Sequence, residues 1–169
     1  MRDVALPPIE IARATWRDTR ALTQLDRRSF KPIDAYAWYE FFALCVSPNV
    51  ITLKALSGDR IIGFIAGDQR RSEGHTIIVT IAVDPDYQRR GIGERLMREV
   101  ETRSALPRFQ LMVRHSNVPA LKLYRKLNYD IVDTWRRYYE DGEDAYVMEK
   151  NLLPPDENPV VKNGGLSST

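Results

Sequence analysis

Six residues, Gln88-Arg89-Arg90-Gly91-Ile92-Gly93, carry the clearest chemical signal in the chain. They lie between an apolar run, Thr76 to Val83, and an amphipathic run, Ile92 to Arg103. A glycine-containing turn that opens a helix presents backbone N–H groups with no intrahelical partner, and the helix dipole adds positive potential there. Glycine also admits a backbone to phosphate without a Cβ in the way. Arg89 and Arg90 add charge of the right sign and shape. The turn therefore reads as a site for phosphate or pyrophosphate. Two familiar phosphate loops do not fit it. A dinucleotide fingerprint needs a third glycine, where this chain has Leu96, and a P-loop needs Gly-Lys-Ser or Gly-Lys-Thr, which does not occur. The two histidines and Cys45 lie apart without metal-ligand spacing, so no metal is expected.

The elements that must position this turn follow from period and punctuation. Ile9 to Ala14 alternates as a first strand, and Arg17 to Arg28 has apolar residues at helical spacing. Ser29-Phe30-Lys31-Pro32 breaks that helix; Asp34 is expected to cap a second, aromatic-rich one that ends at Ser47-Pro48-Asn49. Val50 to Leu56 and Arg60 to Gly67 predict a hairpin across Ser57-Gly58-Asp59. Thr76 to Val83 is apolar on both faces, which predicts a central strand. Phe109 to Val113 reads as a buried strand. Asn117 reads as the cap of a helix with Pro119 in its first turn. Tyr129 to Tyr139 and Ala145 to Leu152 predict a last hairpin around Asp141-Gly142. Pro154 to Thr169, rich in Pro, Asn, Gly and Ser, is expected to be a disordered tail. The order is strand, two helices, three antiparallel strands, helix, strand, helix, two strands: a mixed α/β (α+β) single domain over residues 1–153.

Composition narrows the function classes. A net charge of +2 is far from the basic extreme that accompanies nucleic-acid binding, which is not expected. No run approaches the ~18 apolar residues needed to cross a bilayer. Met1 to Pro8 has no apolar leader core, and a single cysteine permits no intrachain disulfide, so a cytoplasmic setting is expected.

Context around the glycine turn carries a resemblance. The pattern Q/R-x-x-G-x-G/A, preceded by the strand ending Ile81-Ala82-Val83 and the bridge Asp84-Pro85-Asp86-Tyr87, is similar to the acyl-CoA loop of the GNAT N-acetyltransferase superfamily, and the element order above is the GNAT order. The resemblance covers about Ile9 to Leu152. It implies a mixed central sheet of about seven strands with about four helices, and acetyl-CoA as co-substrate. The strand ending Ile81-Ala82-Val83 would splay from its neighbour and pair with the pantetheine arm. Gln88, Arg89, Arg90, Gly91, Ile92 and Gly93 would hold the pyrophosphate.

Ser116 to Tyr129 resembles a second signature of the same family, S-N-x-x-A-x-x-L-Y-x-x-x-G-F. By that resemblance Asn117 contacts the cofactor while capping its helix, and Tyr124 donates to the leaving thiolate. A phenol (pKa about 10) beside a thiol (about 8.5) makes that hydrogen bond sensible. Asn128 stands in place of the family glycine, and asparagine tolerates a left-handed backbone at a helix end.

Arg137 to Met148, with Tyr138 and Tyr139, resembles the last hairpin of protein N-terminal acetyltransferases, whose paired tyrosines line a peptide groove. On a regular strand the two rings would point to opposite faces. Phe30 and Pro32 match the opposite groove wall. The implied acceptor is the N-terminal α-amine of a protein or peptide, attacked directly in a ternary complex, by a monomer or homodimer. One position departs: Met112 stands where this subgroup carries Glu or His as base, and methionine takes no proton. His115 is three residues on and would face away. The departure matters less for an α-amine than for lysine. With pKa about 7.7–8.0, roughly a quarter is neutral near pH 7.4, against about one part in a thousand at pKa about 10.4. Two alternatives remain open at this point: acetylation of a small-molecule amine, and a catalytically weak CoA-binding module.

Overall fold

The computed structural model describes residues 8–153. The N-terminal stretch that bears on targeting and the Pro154–Thr169 tail lie outside those residues, but for Pro8. Seven strands form one sheet: β1 (Ile9–Arg13), β2 (Val50–Ser57), β3 (Arg60–Arg70), β4 (His75–Val83), β5 (Arg108–Arg114), β6 (Asp130–Trp135) and β7 (Ala145–Asn151). They lie in the order β1-β2-β3-β4-β5-β7-β6. Four α-helices accompany them: α1 (Thr19–Ser29), α2 (Trp38–Val46), α3 (Ile92–Arg103) and α4 (Val118–Lys126). The expected order and fold class are observed, and β4 is central. Among the described residues, no helix is long and apolar enough to cross a membrane.

The sheet is covered on both faces. On one, Ile92, Leu96, Met97 and Val100 of α3 and Leu121 and Tyr124 of α4 pack with Leu53, Ile65, Ile78 and Leu111. On the other, Leu22 and Leu25 of α1 and Phe41 of α2 pack on Phe64 and Ala82. Covering both faces is what gives β4 apolar residues on each of them.

The feature that positions the site is an interruption in the middle of this sheet. β4 pairs with β5 in parallel only from His75↔Arg108 to Ile78↔Leu111. At the next residue the β3–β4 register also skips, from Gly67↔Ile78 to Ala66↔Thr80, leaving Val79 as a bulge. A bulge bends its strand and increases the local twist. Beyond Val79 the strands diverge. β4 stays paired to β3 as far as Val83, while β5 stays paired to β7 as far as Arg114. A wedge opens between them, with unpaired main-chain groups along its β4 side.

Three expectations are corrected. Asp34 does not cap α2: that helix begins at Trp38 after Ala37, whose N–H is capped by the Glu40 carboxylate (2.7 Å). Asp34 is taken instead by Arg114, at 2.6 and 3.0 Å, and a charged fork outbids a cap. The last hairpin is shorter than its residue types suggest. β6 ends at Trp135, so Tyr138 and Tyr139 sit in the connection to β7 and strand alternation does not govern them. Tyr129 is buried in the core before β6 begins, with its hydroxyl donating to Glu101 (3.0 Å).

Candidate functional site

A cavity of about 940 Å³ fills the wedge and continues between the α1–α2 loop and the β6–β7 connection. Its floor is Ile81, Ala82 and Val83 of β4 facing Leu111, Met112 and Val113 of β5. One end is closed by the glycine turn. Gly91 is the residue before α3 and has φ +75°, a left-handed conformation that glycine adopts without strain. Arg89 is also left-handed, at φ +63°. Together they turn the chain so that the first-turn N–H groups of α3 face the wedge with no intrahelical partner. Gln88 donates to the Val83 carbonyl (3.2 Å), tying turn to strand. Gln88, Arg89, Gly91, Ile92 and Gly93 all line the cavity. Arg90 does not: its guanidinium lies over the Tyr87 ring (5.1 Å) and donates to the Asp86 carbonyl. Packing alone favours glycine at 93, because a Cβ there would lie 3.2 Å from Leu123 of α4.

The whole turn is moored by Asp84. Its buried carboxylate accepts from Arg28 (3.1 and 3.2 Å), from Arg60 (2.8 Å) and from the Asp86 N–H (3.0 Å). Asn117 caps α4 as expected, accepting from the Ala120 N–H (3.2 Å), and lines the cavity beside Tyr124. Asn128 ends that helix left-handed, at φ +66°. Tyr124 is 6% exposed, and burial pushes its phenol well above the ordinary value. It therefore keeps its proton at neutral pH.

The far end of the cavity has aromatic walls. Phe30 and Tyr36 come from the α1–α2 loop; Tyr138 and Tyr139 come from the β6–β7 connection, with their rings edge-on at 5.1 Å. Both tyrosines line the space, since neither is on a strand. Pro32 does not reach it, and neither does His115, which packs on Tyr146 (4.7 Å). Met112 does line it and offers no proton acceptor. Burial, with a smaller contribution from Tyr138, raises the Tyr139 phenol to about 12, against the nearby Arg114 charge.

Sequence reasoning missed several lining residues, among them the wall residue Tyr36. Thr80, 7% exposed, lines the cavity and has a buried hydroxyl with no hydrogen-bond partner among the described residues. Asp34 and Arg114 meet across 80 positions of sequence. Glu40 follows from an i+3 cap whose start was placed three residues early. Only the last had a local signal. No group of three or more His, Cys, Asp or Glu that could hold a metal occurs among the described residues.

A wedge with a free main-chain edge, closed by a helix N-terminus on a left-handed glycine, has the shape and donors for a long thioester carrier with a pyrophosphate. Comparison with known proteins decides the family: the sequence model of the acetyltransferase (GNAT) family matches residues 13–129. The chain belongs to the GNAT acetyltransferase family. The N-alpha-acetyltransferase RimI of Mycobacterium tuberculosis is 34% identical over 152 residues, which is 88% of this chain and 96% of that protein. The crystal structure of the ribosomal-protein-S18-alanine N-acetyltransferase from Escherichia coli superposes with a TM-score of 0.77 at 26% identity, covering 89% of this chain and 98% of that one. Arabidopsis thaliana NAA60 in complex with acetyl-CoA shares the fold, with a TM-score of 0.76 at 22% identity over 86% of this chain and 99% of that one. This GNAT protein is accordingly an acetyl-CoA-dependent N-acetyltransferase.

Proposed function

We propose that the acceptor is the N-terminal α-amine of a protein or peptide. The observation that carries this reading is the aromatic groove. Phe30 and Tyr36 on one side and Tyr138 and Tyr139 on the other prolong the wedge into a channel for an extended chain. A compact amine has no use for two such walls. The N-alpha-acetyltransferase and ribosomal-protein-alanine N-acetyltransferase similarities support it.

Acetyl-CoA supplies a thioester acyl donor. The chain's part is to align that thioester, bring a neutral amine to it and handle two protons. The unpaired groups along Ile81, Ala82 and Val83 fix the arm by main-chain hydrogen bonds, the Val83 carbonyl being already held by Gln88. The N–H groups following Gly91, with Gln88 and Arg89, take the pyrophosphate. Asn117 holds the start of α4 in place beside Tyr124. Transfer moves acetyl from sulfur to nitrogen, removes one proton from the amine and gives one to sulfur. Tyr124 donates a hydrogen bond to that sulfur, which takes its proton in the end from solvent. Because burial raises the Tyr124 phenol, the gap to a thiol widens, and its contribution is a hydrogen bond to developing thiolate rather than release of its proton. With Met112 on the wall, the first proton goes to solvent, and alignment supplies most of the rate.

The test is a thiol-release assay with acetyl-CoA against two sets of amines, short peptides with varied first residues and a panel of polyamines and aminoglycosides. Acetylation of peptides at the α-amine, located by mass spectrometry, is the expected result. Turnover confined to the small amines would overturn the acceptor class, and tight CoA binding without thiol release on any amine would make the chain a binding module.

A further inference from the structure

The geometry points to Arg114 as the positioning residue of the acceptor groove: one guanidinium joins its two walls and sets the Tyr139 ring between them. The inference rests on the groove described above and concerns any amine held there.

Arg114 is the last residue of β5, where its backbone is still paired with Ala145 of β7. Its side chain is only 11% exposed. Nε and Nη2 donate as a fork to Asp34 of the α1–α2 loop, at 3.0 and 2.6 Å. Nη1 donates to both oxygens of Asp141 (2.9 and 3.0 Å) and to Glu143 (2.7 Å), in the β6–β7 connection. The face of the same guanidinium lies 3.9 Å from the centre of the Tyr139 ring. Glu143 carries the linkage further, since its other oxygen accepts the Ser116 N–H (2.8 Å) just before the Asn117 cap. The α1–α2 loop, the end of β5, the last connection and the approach to α4 thus meet on one side chain. None of the other described side chains bridges both groove walls through so many contacts; Lys31 reaches Asp141 only at 3.8 Å.

Chemistry makes the position specific for arginine. The fork to Asp34 uses the planar guanidinium edge, the contacts to Asp141 and Glu143 use the opposite nitrogen, and the stacking on Tyr139 uses the flat face. A lysine ammonium has no fork and no face. Without a cation here, Asp34, Asp141 and Glu143 would repel one another, with Lys31 the one other cation paired to any of them among the described residues, and the walls would part. Hydrogen bonds from Ser116 and then Arg114 pull Glu143 down to about 2, and Arg114 first of all lowers Asp141, so these two carboxylates of the last connection stay ionised across the working pH range. None of the Arg114 contacts touches β4 or the glycine turn, so the two substrates should feel its loss differently.

The experiment uses the full chain with acetyl-CoA and whichever amine of the two panels turns over best. If only small amines react, the acceptor class fails while the role of Arg114 is still measured on that amine. In Arg114→Met the KM for the acceptor should rise roughly tenfold or more while the KM for acetyl-CoA stays within about twofold. Arg114→Lys, which keeps the charge but loses fork and face, should resemble Met. Asp34→Asn, which releases one wall alone, should raise acceptor KM by about threefold or more. In a Tyr139→Leu background, Arg114→Met should add less than about twofold, because the arginine acts through that ring. Hydrogen exchange needs no acceptor: residues 31–36 and 138–143 should loosen together in Arg114→Met while residues 88–93 do not. Equal rises in both KM values, full rescue by lysine, additivity with Tyr139→Leu, or loosening of one wall alone would overturn the assignment. Should Arg114→Met fail to fold, the Asp34→Asn and Arg114→Lys results decide.

Discussion

Asp26 offers the sharpest physical test of the packing behind the groove. It sits on the inward face of α1 with no solvent exposure. One carboxylate oxygen accepts the Tyr36 N–H (2.7 Å) and the other has no partner among the described residues. Burial, opposed by the Tyr36 hydrogen bond and reinforced by Glu40, raises its pKa from 3.8 to about 6. The folded-state value thus lies above the unfolded one. The stability this group contributes is fully present below about pH 3.8 and is lost as the pH rises past about 6. The gap bounds the whole swing at about 3 kcal/mol, and about 1.4 kcal/mol of it falls between pH 5 and pH 8. Asp26→Asn removes the titration while keeping an oxygen for Tyr36. Its amide leaves a buried donor unpaired, which offsets ~1–2 kcal/mol. The variant should therefore be more stable than the parent at pH 8 by ~1–2 kcal/mol, and should have lost about 1.4 kcal/mol of that advantage at pH 5. Urea unfolding of both proteins at the two pH values measures it, and groups that titrate alike in both cancel in the difference. A difference between variant and parent that is the same at pH 5 and pH 8 would refute the reasoning.

Two further predictions concern the donor side. Tyr124→Phe removes a donor to developing negative charge, a hydrogen bond of ~1.5–3 kcal/mol, so kcat should fall roughly 10- to 150-fold with the acetyl-CoA KM little changed; steady-state kinetics showing full retention would remove Tyr124 from the chemistry. Gly91→Ala meets no neighbour but forces a side chain into the left-handed region, costing about 1–2 kcal/mol and re-aiming the α3 N–H groups, whereas Gly93→Ala presses on Leu123 without changing the turn. Acetyl-CoA KM should rise more in the first than in the second, and the reverse order would sink the distinction.

Much of the fold was legible because its signals are local. The strands around Ser57-Gly58-Asp59, the cap at Asn117 and the turn at Gly91 each follow from residue types within a few positions. The cofactor end of the site inherits that legibility, being made of one strand and one turn. The acceptor end does not. Asp34 has the look of a cap until Arg114, far away in sequence, claims it. Tyr138 and Tyr139 look like strand residues until the chain leaves the sheet at Trp135. Asp26 falls on the apolar face marked by Leu22 and Leu25, yet a lone acid at such a position reads as surface, because burying it is costly and only the assembled loop at Tyr36 offers it a donor. Long-range charge pairing leaves no period in a sequence.

The gap between β4 and β5 has a consequence for how such a protein can change. The donor end is built largely of main chain: a bulge at Val79, a bare strand edge and the open end of a helix. Substituting side chains along that edge changes its lining but does not erase its hydrogen-bonding row. The acceptor end is lined mostly by side chains, on two loops that reach the sheet through Arg114 at the end of β5. Variation can therefore explore new acceptors by redecorating those loops while the acyl supply stays fixed. Within the acceptor end, the one place where such drift meets resistance is the arginine that holds both loops.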